Sequence, residues 1–382
     1  MKWKFTSRAW LAFVALTAVA ASAGAQAIPS RIADSTYWRM ITELSEPDGF
    51  FRSDNLVGNE SSLQWVIPTL QKELGTGGVY LGVAPDQNFT YMIALRPSVV
   101  FIVDIRRGAM LQHLLYKALF ELSDDRASFL SLLFSRPKPA GLDANSTIDA
   151  LLAAYMPVAA DSALYTRNFA ALRRHLVETH HFALGPKDLD GMEYVYNAFF
   201  AAGPGLTYNF GQGNATGGFA GGRGRFGMPT FGALLLETDG IGANRSYLAN
   251  ETGYRWLRDF QSRNLLVPVI GDFAGPKALR AVGSWVRERD AKINAMYVSN
   301  VEQYLFMDTN AWRRYYENVA TLPLNPNALF IRSVSGRGYM QMPVQSPNGR
   351  SIQLVSSVAD LLKAFAEGKV TSYQDVIAMG RQ

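Results

Sequence analysis

The residues of this sequence whose types suit chemistry stand at the ends of apolar runs. "VVFIVD" closes on Asp104, "LLVPVIGDF" on Asp272 and Phe273, and "INAMYVSNVE" on Ser299, Asn300 and Glu302. A carboxylate that ends a fully apolar strand needs a partner. For Asp104 that partner is either a ligand or one of the neighbouring Arg106 and Arg107. Glu302 is of the type that serves as a general base, and equally of the type that sits hydrogen-bonded in a loop. Upstream, the turn Gly82-Val83-Ala84-Pro85-Asp86 leads through Asn88 into a helical pattern. Asp86 reads there as an N-cap accepting backbone N–H bonds, or as a carboxylate turned to a ligand. Asp54, Asn55 and Glu60 belong to a broken segment before the first strand, from which they are expected to close over a pocket.

The elements that must position these groups alternate. "VYLGVA" and "VVFIVDI" are strands about a helix that starts near Pro85 and Asp86 and stops at Pro97, which is the length of a βαβ unit. A largely helical stretch follows, with "GAMLQHLLYKALFELS" its clearest amphipathic helix. It ends in a segment rich in glycine and aromatics from Gly203 to Gly232, which reads as a surface loop or as a lid. Strand and helix then alternate again through "LLVPVIGDFA", "INAMYVSNVEQYLF" running into a loop, and "NALFIRSVS". "QLVSSVADLLKAFAEGKVTSYQDVIAM" reads as two closing helices. Strands alternating with helices imply a mainly parallel sheet with right-handed crossovers. The expected class is therefore α/β, a Rossmann-like doubly wound sheet with a large helical insertion between its second and third strands. The boundaries read as a leader over 1–27, a helical segment over 28–75, the α/β domain over 76–336 with its insertion at about 120–235, and a helical extension over 337–382.

"MKWKFTSR", "AWLAFVALTAVA" and "ASAGAQA" have the basic, apolar and small-residue order of a secretory signal cleaved after Ala25 or Ala27, so a periplasmic or secreted protein of bacterial type is expected, with no stable membrane span after cleavage. Lys2, Lys4 and Arg8 leave with that leader, so 37 basic residues become 34 against 32 acidic, and the net charge falls from +5 to +2. Nucleic acid is not an expected partner on that balance; a small molecule or an envelope ligand is. Cysteine is absent, which excludes disulfides and thiolate metal sites. The four histidines show no H-x-x-x-H or H-E-x-x-H spacing. His175, His180 and His181 sit at a helix ending, so no metal is expected. No G-x-S-x-G elbow occurs.

The strand-end pattern, over Gly78 to Asp104 and roughly Asn250 to Gly336, resembles the class I S-adenosylmethionine-dependent methyltransferases. It is also similar to a group of uncharacterised exported bacterial proteins of methyltransferase-like fold. The resemblance implies a cofactor site at Gly82, Asp86, Asn88, Asp104, Asp272, Phe273 and Ser299. In it Asp104 would hold the ribose hydroxyls, and Asp272 with Phe273 would contact the adenine. Asn300 and Glu302 would be the catalytic pair facing the acceptor. The family turn is G-x-G-x-G, of which only Gly82 is kept, and Tyr80 stands where an acidic residue often closes the first strand. A pyrophosphate would seek the turn and its helix N-terminus; Asp86 there favours a sulfonium instead. Two functions of different class follow: a methyltransferase for an unidentified acceptor, and a non-catalytic envelope binding protein on the same fold.

Overall fold

A computed structural model of the 382-residue chain describes residues 27–208, 228–335 and 351–382. The expected leader over 1–26 and most of the glycine-rich segment lie outside those residues. Six strands, β1 (Val79–Gly82), β2 (Val99–Asp104), β3 (Leu266–Ile270), β4 (Ile293–Ser299), β5 (Leu324–Ser335) and β6 (Ser351–Ser357), form one sheet in the order β3-β2-β1-β4-β5-β6. All neighbours are parallel except β5 and β6. The protein is α/β, with a Rossmann-like, mostly parallel sheet.

The local sequence explains the placement of the strands. β2 is apolar but for its last residue and buried along its whole length, as a strand covered on both faces must be. Each buried valine or isoleucine there contributes about 1.5–3 kcal/mol. β3 carries Pro268, which donates no ladder hydrogen bond, and β3 is an edge strand. Gly271 follows it because a Cβ there would lie 2.1 Å from that of Ala278, where the helix Ala278–Arg287 crosses the strand end.

Between β2 and β3 the chain runs through seven described α-helices, from Arg107–Glu121 to Glu251–Ser262, a run that contains the helical insertion expected between these strands. Two expectations are corrected. "SIQLVSS" is not helical: its alternation serves β6, paired in antiparallel register with β5 from Leu329↔Ser357 to Ser335↔Ser351. The stretch after β4 is a short helix, Val301–Leu305, rather than a loop. Among the described residues no helix is long and apolar enough to cross a membrane.

Candidate functional site

The strand order reverses between β1 and β4, the place where open α/β sheets bind ligands beyond the carboxyl ends of their strands. A cavity of about 300 Å³ lies there. Asp104, Asp272, Phe273, Ser299 and Asn300 all line it, brought together from the ends of three strands. Asn55 and Glu60 join them from the broken N-terminal segment. Gly82, Asp86, Asn88 and Glu302 are not on its wall.

Those four are structural in placement. A Cβ on Gly82 would lie 2.0 Å from Asn88 Oδ1, so only glycine lets Asn88 pass. Asn88 accepts from the Tyr80 hydroxyl at 2.9 Å, and its Nδ2 donates to the carbonyls of Val83, Ala84 and Pro85 at 2.9, 3.1 and 2.8 Å. The turn that lacks its later glycines is thus pinned from inside by one amide. Ala84 keeps the left-handed backbone, φ +68°, that glycine usually supplies.

Asp86 makes no capping bond, because its own backbone is helical and its side chain turns inward. Its Oδ2 accepts from the Tyr247 hydroxyl at 3.4 Å and its Oδ1 has no partner. Burial pushes this carboxyl up to about 7. The same burial pulls the neighbouring His113 down to about 4, its Nε2 lying 3.0 Å from the Ala84 carbonyl.

Asp104 is paired within its own strand end. Arg106 Nε and Nη2 lie 3.2 Å from its two oxygens, and the Arg106 backbone N–H adds a third bond at 3.0 Å. Arg107 turns away to a two-pronged pair with Asp188 at 2.6 and 2.9 Å. Asp272 accepts from the Ala274 N–H at 2.9 Å. Its own N–H donates to Glu46, a carboxylate that also caps the helix Ala278–Arg287 through the N–H groups of Lys277 and Ala278. Phe273 stacks on Tyr315, ring centroids 5.5 Å apart.

The most buried acid on the wall is Glu60, which is 4 % exposed. It accepts from the Tyr297 hydroxyl at 2.5 Å and from the Ser299 hydroxyl. Among the described residues no cation pairs with it. Burial raises its pKa, and the hydroxyl and amide donors around it offset part of that rise. A carboxyl of this kind on a cavity wall is a candidate proton acceptor or donor. Glu302 differs: the Arg332 guanidinium grips both its oxygens, the Tyr316 hydroxyl adds a bond at 2.9 Å, and both ions are 1 % exposed.

Sequence reasoning named Glu60 from its position alone and missed Asn59, Phe50 and Phe51, which also line the cavity. The available signal was a cluster of polar residues in a helix break just ahead of the first strand. Taken together, among the described residues the wall carries Asp104, Asp272, Asp308 and Glu60 against Arg106 alone, and Arg106 is already engaged.

The rRNA methyltransferase aviRa from Streptomyces viridochromogenes is similar in structure at a TM-score of 0.31 and 13% identity, over 83% of this chain and 96% of that chain. So distant a likeness carries no argument about this protein. No curated protein matches the chain. A family model does match, over residues 56–184 and 234–379, which hold β1 to β6, most of the insertion and most of the cavity wall. The chain belongs to the family described as Domain of unknown function (DUF7790).

Proposed function

We propose that the cavity at the strand-order reversal binds a cationic nucleoside-type ligand of the S-adenosylmethionine class, and that the protein transfers a methyl group to an acceptor beside Ser299, Asn300 and Glu60. The observation that carries the reading is the charge of the wall: acids from separate strand ends meet with no free cation among the described residues. Such a wall attracts a sulfonium and repels a pyrophosphate. Asp104 offers carboxylate oxygens to a ribose diol, and Phe273 with Val103 offers apolar surface to a base. The ligand would supply an electrophilic methyl. Glu60 replaces Glu302 as the acid–base group, since Glu302 is spent on Arg332. Export of the chain, read from its first residues, belongs to the same proposal.

One observation favours a second reading, a non-catalytic exported binding protein: both oxygens of Asp104 already accept from Arg106. Calorimetry on the chain with S-adenosylmethionine, S-adenosylhomocysteine and NAD separates the two. Micromolar binding of the first two, lost at least 30-fold in Asp104→Ala, with no binding of NAD, supports the cofactor reading. Absence of binding at millimolar ligand overturns it and leaves the second.

A further inference from the structure

The stretch "RRHLVETHH" carries His175 and His180 five residues apart, a spacing that places two side chains about 140° apart around an ordinary α-helix. Here the chain does not continue as an α-helix. After Ser162–Arg174 it widens into a π-helical turn, His175–Thr179, in which the N–H of His180 bonds the carbonyl of His175 at 3.0 Å. Such turns are rare and concentrate at functional sites. The wider turn brings the two imidazoles to the same side, ring centroids 4.7 Å apart.

Both rings converge on a third group. His175 Nε2 and His180 Nε2 lie 2.7 and 2.8 Å from a single oxygen, Glu121 Oε2, and 3.3 Å from each other. Two ligand atoms of a tetrahedral zinc with 2.0–2.1 Å bonds stand about 3.3 Å apart. The nitrogen pair already has that separation, and the carboxylate oxygen needs to withdraw by about half an ångström to match it. We infer that Glu121 Oε2, His175 Nε2 and His180 Nε2 bind a divalent cation of the zinc class, with the fourth position left to water.

The surroundings suit that assignment. His180 Nδ1 lies 3.1 Å from Asp34 Oδ1 without being aligned for a hydrogen bond, so a metal-bound Nε2 leaves an Nδ1–H within reach of a carboxylate, the kind of outer-shell partner common to histidine ligands. Asp34 is held in turn by Asn264 Nδ2 at 2.7 Å. The His180 ring stacks on Phe182 at 5.1 Å and 15°, which fixes its plane. Lys117 donates to the other oxygen, Glu121 Oε1, at 2.7 Å and to the Gln261 carbonyl at the same distance, so Oε2 is left to the histidines. Glu121, His180 and His175 side chains are 7, 10 and 19 % exposed, enough for an ion to enter.

The site is separate from the cavity and independent of the reading given to it. Glu121 ends the helix that Arg107 begins, about 21 Å away at 1.5 Å per residue. A cation there ties the end of that helix to the π-helical turn that holds the histidines, with Asp34 of the first helix beside it.

The test is zinc binding by the untagged chain, read by competition with a chromophoric chelator and by metal content after dialysis. One equivalent is expected, weakened at least 100-fold in the double variant His175→Gln, His180→Gln and about 10-fold in Asp34→Asn. Retention of zinc by the folded double variant as in the wild type would overturn the site, as would no retention by the wild type at micromolar free zinc. If the double variant does not fold, X-ray absorption of the zinc-loaded wild type decides: two imidazoles with oxygen support the site, and a shell without imidazole refutes it.

Discussion

Glu60 and Glu302 are two buried glutamates near the end of β4, and the fold treats them oppositely. Glu302 is held by a guanidinium, two hydroxyl-bearing neighbours complete the set, and Arg332 lies over the Phe330 ring at 4.3 Å. Burial alone would weaken the Arg332 charge, but the Glu302 carboxylate more than reverses this and holds the arginine above its usual pKa. Among the described residues Glu60 has only neutral donors, and its pKa rises. A buried charge with an opposite charge is a fixed structural element, whereas a buried carboxyl among hydroxyls can take up or release a proton. The cavity wall receives the second kind.

The largest effect tests the ion pair. Arg332→Met strands the Glu302 carboxylate and is expected to cost about 3–5 kcal/mol in urea unfolding, with much of that recovered in the double variant that adds Glu302→Gln. A loss below 1 kcal/mol in the single variant would erase the distinction between the two glutamates.

Asp86 extends the comparison to a third buried carboxyl which, like Glu60 and unlike Glu302, has no cation beside it among the described residues. Its unfolded pKa is near 3.9 and its native value about 7, so the native state holds more protons between them. Its contribution to stability is full below about pH 4 and is lost as the pH rises through about 7, amounting to roughly 2–4 kcal/mol. Glu237, raised by burial to about 7, adds to the same window. Asp86→Asn should therefore flatten the stability profile between pH 5 and 8 and gain most at pH 8. An unchanged slope would mean that Asp86 is ionised and satisfied.

The smallest effect belongs to Glu60→Gln. An amide can keep a hydrogen bond to the Tyr297 or Ser299 hydroxyl, so stability at pH 5 is expected to change by less than about 1 kcal/mol. Any methyl transfer should fall by 10²-fold or more with ligand affinity little altered. A stability loss comparable to that of Arg332→Met would place Glu60 with the structural acids.

Much of the frame was legible before the fold was known. β2, β3 and β4 are near-continuous apolar runs, and their polar terminators, Asp104, Asp272 and Ser299, do share one cavity wall. β6 was not legible as a strand, because "SIQLVSS" leads directly into a helix and it is extended by its pairing with β5 and, at Val355, with Arg381 near the end of the chain. The turn after β1 was legible as a turn but not in its mechanism. Asn88 and Asp86 each face inward, and only the packing of Tyr80 and Tyr247 against them shows it. The histidine pair lacked any recognised spacing, since a π-helical turn changes the angular period on which such spacings rest.

By itself the sequence determined the alternation of elements, the class of the sheet and which residues stand at strand ends, because periodicity and chain-terminating residues act over a few positions. Tertiary structure decided which acids keep a cation and which face the cavity. Glu60 meets Tyr297 across 237 positions and Glu121 meets His175 across 54. Burial and pairing are set by what the rest of the chain brings alongside, and that has no local period to read.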